Sequence, residues 1–437
     1  MKKIISIIAI CAMALSMMVG CGAASSSSAV STAASAATSE ESKLSGSITL
    51  MASQNWIKDV DRELFKAFED ETGVEVKILL TPDNGYDTLL GTSLSGGSNA
   101  VDVFMYTAGT MMVSAGIPEI VLDLSNEAWA ANYEDWATAA NTVDGKLLGF
   151  STWGVDYEGV MYNKTMFEEK GWEVPSTWDD FLKLCDTIQA DGVTPLYEGI
   201  NGVWHTQSWV YALTPAILSE KADTADYLNA GKENNWADIK AFSDGLGQIK
   251  DLLSHQPAYY TNDGQAEDCF GSYTALQDRE CAMMFTYSAY PAELAANGYT
   301  DEWGMFPCPL LDNTVGVSNG GGISKYINKN CQNIDACKAL LDFLARPENL
   351  ETYYGARTDL VTSAFKDVKS VSSTSATTEM LERSTEMPVV MINKDALYWD
   401  PDMYKYLQGF AAGTTSVEDF VSGCDAYRAT MFDTTAE

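Results

Sequence analysis

Between Asp144 and Phe181 the chain reads DGKLLGFSTWGVDYEGVMYNKTMFEEKGWEVPSTWDDF, and its apolar positions change period twice. Asp144-Gly145 is a turn pair. Leu147–Phe150 and Gly159–Tyr162 are short apolar runs of strand type. Trp153-Gly-Val-Asp-Tyr157 lies between them, a carboxylate flanked by aromatics in a segment linking two strands. The pattern then becomes helical, with a short helix over Thr165–Lys170 closed by Gly171. Pro175-Ser-Thr177 caps a longer helix over Trp178–Ala190, whose Phe181, Leu184, Cys185 and Ile188 form one face. Asp179 and Asp180 in its first turn suit the positive end of the helix dipole.

Upstream, Ser47–Met51 predicts a strand, and Trp56–Thr72 a helix with Ile57, Val60, Leu64 and Phe68 on one side, ended by Gly73. Val74, Val76, Ile78 and Leu80 recur at period two, a helix follows over Tyr86–Ser95, and Val101–Met105 is apolar. The order is β-α-β-α-β, as in α/β folds. Downstream, Asn201–Trp209 reads as a turn entering an aromatic-rich helix. Ala237–Leu253, Ala336–Leu344 and Val417–Tyr427 read as further helices, and Ser370–Thr378 as an exposed loop.

The ordered set Gly145-Lys146, Tyr162-Asn-Lys164, Phe167 and Pro175-x-Thr-Trp-x-Asp-Phe181 resembles the bacterial extracellular solute-binding proteins of family 1, the maltose-binding-like receptors of ABC importers. Phe68–Val76, Asp102–Phe104, Asp191–Pro195, Ala282-Met283, Asp301–Pro307, Gly320–Gly322 and Ser324 extend the likeness over most of the chain from Ser47 to Tyr427. Glu280 stands where that family has Gly, and its G-x-W motif is absent, Tyr290 standing near the Trp position. The resemblance implies an α/β chain with a type II, two-lobe periplasmic-binding-protein-like fold, its discontinuous lobes joined by hinge crossings. The first lobe is expected at 44–155 plus 308–348 and the second at 156–307 plus 349–437, with Asp301–Pro307 as the second crossing strand.

Composition narrows the function. With 61 acidic and 27 basic residues the net charge is −34, which argues against nucleic acid, whose phosphates need Lys and Arg clusters, so no nucleic-acid partner is expected. Lys2-Lys3 followed by apolar Ile4–Val19 is too short for a spanning helix and reads as a signal peptide over 1–20. Met18-Val19-Gly20-Cys21 resembles a lipobox, implying a lipidated Cys21 and a lipid-anchored protein on the extracellular face of the cell membrane. Residues 21–43, nearly all Ser, Ala and Thr, form a flexible tether with a reach of roughly 25 Å. The nine cysteines include no CxxC and show no disulfide framework; Cys185 and Cys337 fall on apolar helix faces as core fillers.

Catalytic chemistry finds little footing. Two histidines, His205 and His255, exclude a multi-histidine metal site, and no cofactor motif occurs. Gly316-Val-Ser-Asn-Gly320 matches a nucleophile elbow in letters, but both histidines precede Ser318, so a glycine-rich turn is the reading. Asp263, Glu267 and Asp268 lack the glycine of a calcium loop and read as a solvated acidic loop. Sugars offer C–H faces to aromatic rings and hydroxyls to amides and carboxylates. By resemblance, the ligand contacts are Asn55, Trp56, Tyr106, Asp156, Trp204, Tyr290 and Trp399, although core packing is the ordinary fate of any such aromatic. The implied protein is a monomeric, non-enzymatic receptor that binds a carbohydrate, with an oligosaccharide expected, and delivers it to an ABC permease. A surface-anchored glycoside hydrolase is the alternative, since 61 acids include many possible catalytic pairs.

Overall fold

The structure is a computed structural model that describes residues 44–83, 85–95, 100–200, 205–255, 272–357, 360, 362–370 and 374–434. The signal, the tether and Cys21 lie outside these residues, as do Trp204 and the acidic loop. Two sheets organise the described chain. In the first the order is Val74–Thr81, Gly46–Ser53, Val103–Thr107, Ile323–Ile327, Phe150–Ser151. The first three strands are parallel; Ile323–Ile327 returns antiparallel to Val103–Thr107, with Ile323 opposite Thr107. Helices Asp59–Thr72, Ile334–Leu344 and Pro347–Ala356 cover one face, burying Phe68, Leu340 and Tyr354 completely.

The second sheet runs Val389–Val390, Val317–Ser318, Tyr157–Asn163, Cys281–Tyr287, Thr194–Tyr197. Tyr157–Asn163 is its centre. Alternation sends Val160 and Tyr162 into one core and Met161 into the core on the opposite face. A sheet buried on both faces explains why CAMMFTY at 281–287 is apolar without alternation. The local devices near Asn163 fold as their residue types dictate. The Asn163 side chain accepts the Met166 amide at 2.9 Å, Gly171 closes that helix at φ 71°, and the Thr177 hydroxyl accepts the Asp180 amide at 3.2 Å.

Three expectations change. Trp303–Phe306 is not a crossing strand: it pairs antiparallel with Val160–Asn163, and Leu310 is buried in the second core, so the chain stays in the second lobe past 307. The return to the first sheet falls between Ser318, opposite Tyr157, and Ile323, opposite Thr107. Likewise the chain does not leave the first lobe at 349, because Leu350, Tyr353, Leu360, Phe365 and Val368 all pack in the first core. The Ser/Thr-rich stretch expected as a loop instead starts the helix Ser375–Arg383, capped by Thr374, whose hydroxyl accepts the Thr377 amide at 3.1 Å. Its Ala376 and Met380 pack under Trp303 and Met305.

The two crossings at 152–156 and 319–322 run side by side, and their closeness depends on glycine. A β-carbon on Gly322 would lie 2.5 Å from the Trp153 β-carbon, and one on Gly154 would lie 2.5 Å from the Thr362 carbonyl oxygen. Gly322→Ala should therefore lower stability by about 1–3 kcal/mol, as overpacking between fixed backbones does. Gly247→Ala is the control, since that helical glycine has nothing within 4 Å of an added β-carbon. It should gain about 0.5–1 kcal/mol. Denaturant midpoints of the two variants check both signs.

Candidate functional site

Parallel strands Gly46–Ser53 and Val103–Thr107 end at one edge of the first sheet, which puts the residues after them together. Asn55 is one: its amide donates to Asp83 Oδ2 at 2.5 Å, beside the Ser53 hydroxyl on the same carboxylate. Trp56 packs edge-on against Tyr86 at 4.8 Å, and Tyr86 stacks on Tyr106 at 6.5 Å. Tyr106 is buried in that stack, and burial pushes its hydroxyl far above the usual tyrosine range, with the neighbouring Asp87 adding to the shift. All three expected residues thus sit at the carboxyl edge, with Tyr106 building the floor beneath Trp56.

Asp156 lies in the first crossing. It exchanges hydrogen bonds with Asn319 in the second: Asp156 N donates to Asn319 Oδ1 and Asn319 N to Asp156 O, both at 3.0 Å. Its carboxylate accepts the Ser288 hydroxyl at 3.2 Å. Asp156 therefore ties the crossings to each other and to the second sheet.

Two aromatics expected at the ligand lie elsewhere. Tyr290 is fully buried on the back face of the second sheet, edge-on to Tyr287 at 5.7 Å. It opens the helix Tyr290–Ala296, and its ring fills the space beside Leu294 and Trp303. Trp399 is 4% exposed, wedged between Tyr211 at 5.6 Å and Trp236 at 5.4 Å. It packs its own lobe. Both rings are buried rather than presented to the cavity, and the cause is the same: apolar area is driven inward wherever a core can take it.

A cavity of about 210 Å³ opens where the lobes meet. Gly109, Trp136 and Ala140 line it from the first lobe, Gly320 and Gly321 from the crossing, and Val390, Lys394 and Asp395 from the second. The lobes touch at its rim, where the Thr110 hydroxyl donates to the Asn393 carbonyl at 2.5 Å. A larger hollow, about 390 Å³, is walled by residues 162–174 and Arg383 alone, so it lies on the second lobe rather than between the two.

Behind the cavity the second lobe carries enclosed polar groups. Burial pushes the Glu158 carboxyl up, opposed by the Ser208 hydroxyl and by His205 and Lys394. Burial pushes the Lys394 ammonium down to about 8, opposed by Glu158. Glu198 and His205 are buried beside them, Glu198 accepting the Trp209 indole at 2.7 Å. Sequence reasoning missed Thr110, Trp136, Glu158 and Lys394. Trp136 carried the one usable signal, a tryptophan in a short polar helix, Asp135–Asn141. Among the described residues no group of three or more His, Cys, Asp or Glu is arranged to hold a metal. Ser318, in the apparent elbow, lies in a strand and its hydroxyl accepts the Gly320 amide at 3.1 Å.

The half-buried Lys394 sets a pH dependence. Its folded pKa of about 8 lies below the ordinary 10.5, so between these values the unfolded chain holds more protons at this position. The lysine's contribution to stability is then lowest below pH 8 and rises with pH through that window. The stability of the wild-type chain relative to Lys394→Met should climb from pH 7.5 to about pH 10 by urea denaturation. A difference that stays flat would contradict the burial of this ammonium.

Solved structures share the fold. The chain superposes on a chitin oligosaccharide binding protein with a TM-score of 0.73 at 17% identity, covering 89% of this chain and 100% of that one. For the solute-binding protein RafE in complex with raffinose the TM-score is 0.72 at 19% identity, over 88% and 99%. Among curated proteins, the erythritol/L-threitol-binding protein of Mycolicibacterium smegmatis is 30% identical over 164 residues, 32% of this chain and 34% of that one. The multiple sugar-binding protein of Streptococcus mutans is 26% identical over 186 residues, 41% and 43%. The matches thus span between a third and a half of those relatives' length. The sequence model of the family described as bacterial extracellular solute-binding protein matches residues 56–351, more than half of the chain and strands of both sheets, so the chain belongs to that family.

Proposed function

We propose that the chain captures a neutral carbohydrate in the cavity between its lobes, closes on it by rotation about the paired crossings, and delivers it to an ABC permease. The observation that carries this reading is the interlobe cavity itself, walled by Trp136 on one side and by Lys394 and Asp395 on the other. An aromatic face opposite paired donors and acceptors suits a sugar ring and its hydroxyls. The names of the matched proteins, which give a polyol pair, sugars and oligosaccharides, support the ligand class. The cavity's roughly 210 Å³ is below the span of about 300–1,000 Å³ usual for ligand pockets. It would enclose one end of an oligosaccharide, the rest lying along the cleft.

Closure needs a hinge, and the crossings at 152–156 and 319–322 are where we place it. Gly320 and Gly321, at φ 62° and 143°, can absorb the backbone change. Nothing in the matched proteins supports the hydrolase alternative, and we take the chain to be a non-enzymatic monomer. Among the described residues no helix is long and apolar enough to cross a membrane. The anchor is assigned to a lipid on Cys21.

Two experiments test these assignments. The full chain is titrated with neutral mono-, di- and oligosaccharides and alditols while melting and tryptophan fluorescence are followed. One class should stabilise it by about 2.7 kcal/mol at a hundred times its Kd, with the sugar recovered intact, and Trp136→Ala should weaken binding by about 1–3 kcal/mol. Stabilisation by charged solutes alone, or the appearance of shorter sugars, would overturn the receptor reading. For the anchor, Cys21→Ala should move the protein from the membrane fraction to the medium; retention on the membrane would count against lipidation.

A further inference from the structure

The described cysteines divide into two kinds. Cys185, Cys281, Cys308 and Cys424 are buried, and burial pushes all four thiols up. Cys331 is different. It stands half-buried in the turn between Ile323–Ile327 and the helix Ile334–Leu344, and its sulfur lies 3.9 Å from that of Cys337 in the helix's first turn. The turn is pinned in this position. Asn328 donates its amide to the Val101 carbonyl at 3.0 Å, Cys331 N donates to Asn328 O at 3.0 Å, and Cys337 N donates to Asn333 O at 3.1 Å. The backbone therefore holds the two side chains facing each other across five intervening residues.

We infer that Cys331 and Cys337 form a reversible dithiol–disulfide pair, a modification site at the outer end of the first sheet. A disulfide needs the sulfurs at about 2.05 Å, a closure of roughly 2 Å from contact, within reach of side-chain rotation. The oxidant is a small-molecule disulfide of the glutathione class. The Cys331 thiolate attacks one sulfur of it, a mixed disulfide forms and one thiolate leaves. Cys337 then loses its proton and attacks the Cys331 sulfur, forming the internal bond and expelling the second thiolate. Two cysteine thiols and one external disulfide become one internal disulfide and two external thiols.

The order of attack follows from the surroundings. Cys331 is the accessible sulfur, and the hydrogen bond from Cys337, with a smaller one from the Asn333 amide, holds its thiol below the usual range. The same bond, with burial, pushes the Cys337 thiol up. Once Cys331 is capped that bond is gone, which frees Cys337 to complete the exchange. The bond would tie the turn to the helix beside Ser45, whose carbonyl accepts the Asn333 amide at 3.2 Å. It would thus reinforce the start of the strand Gly46–Ser53.

One peptide reads the result. Trypsin cuts after Lys329 and Lys338 and releases Asn330–Lys338, NCQNIDACK, which carries both sulfurs. The full chain is incubated natively with oxidised glutathione or with dithiothreitol, then denatured, alkylated with iodoacetamide and digested. After oxidation the peptide should appear unalkylated and about two mass units below its dithiol form. Melting temperature should rise by about 2–6 °C, reversed by dithiothreitol. Cys331→Ser, at the more accessible position, should abolish both changes while leaving the reduced melting temperature unaltered. A doubly alkylated peptide, a stable glutathione adduct on Cys331, or a disulfide-linked dimer would each overturn the assignment.

Discussion

The molecule depends on two short strands of backbone passing between the lobes in contact. On one side Ser151 pairs with Ser324 in the first sheet; on the other Tyr157 pairs with Ser318 in the second. Between these points the reciprocal Asp156–Asn319 bonds keep the passages in register. A third stretch braces them from the first lobe: Arg357 lies over the Trp153 ring at 4.8 Å, and the Thr362 hydroxyl accepts the Val155 amide at 2.7 Å. These buried polar ties fix where the lobes join without fixing the angle between them, because Gly320–Gly322 carry no side chains across the gap. The cavity lies against those glycines. Small rotations there become large displacements at the rim, which is the geometry a closing receptor needs.

Such closure must be nearly balanced before ligand arrives, since a ligand shifts an equilibrium only by its differential affinity for the two states. The rim contacts fit that requirement. They include a hydroxyl–carbonyl bond from Thr110 to Asn393 and the approach of Gly109 to the Lys394 backbone. A single neutral hydrogen bond is worth about 0.5–1.5 kcal/mol net. The apolar weight is kept inside each lobe instead, in the clusters around Phe68 and around Trp209 and Trp236. Each lobe thus keeps its own apolar core, as the proposed rigid-body closure would require.

The sequence made the elements legible where one physical signal sufficed. Helix faces such as Val60, Leu64 and Phe68 are read from period alone, and Asn163 and Thr177 announce helix starts by their capping chemistry. What it did not reveal is which sheet a strand joins. Trp303–Phe306 looks like a crossing strand, and only its pairing with Val160–Asn163 shows that it stays in the second lobe. Aromatics mislead for a related reason. Trp56, Trp136, Tyr290 and Trp399 are chemically alike as letters, yet the first two remain partly exposed near the cleft and the last two fill cores. Their fate depends on neighbours remote in sequence, Trp236 for Trp399 and Leu294 with Trp303 for Tyr290.

Charge shows the same limit and adds a constraint on the ligand. A chain of net charge −34 would be expected to surround any cavity with acid. Instead the wall of the second lobe presents Lys394, with Glu158 close enough behind it to oppose its shift and Asp395 exposed alongside. Opposite charges near one another offset each other's cost of burial, and a ligand that brought its own full charge would disturb that balance. A neutral polyhydroxyl ligand avoids that penalty, because its hydroxyls can accept from the ammonium and donate to carboxylates without altering the balance. The opposite charges at 158 and 394 therefore favour the same ligand class as the aromatic wall at Trp136, by an argument that does not rely on stacking.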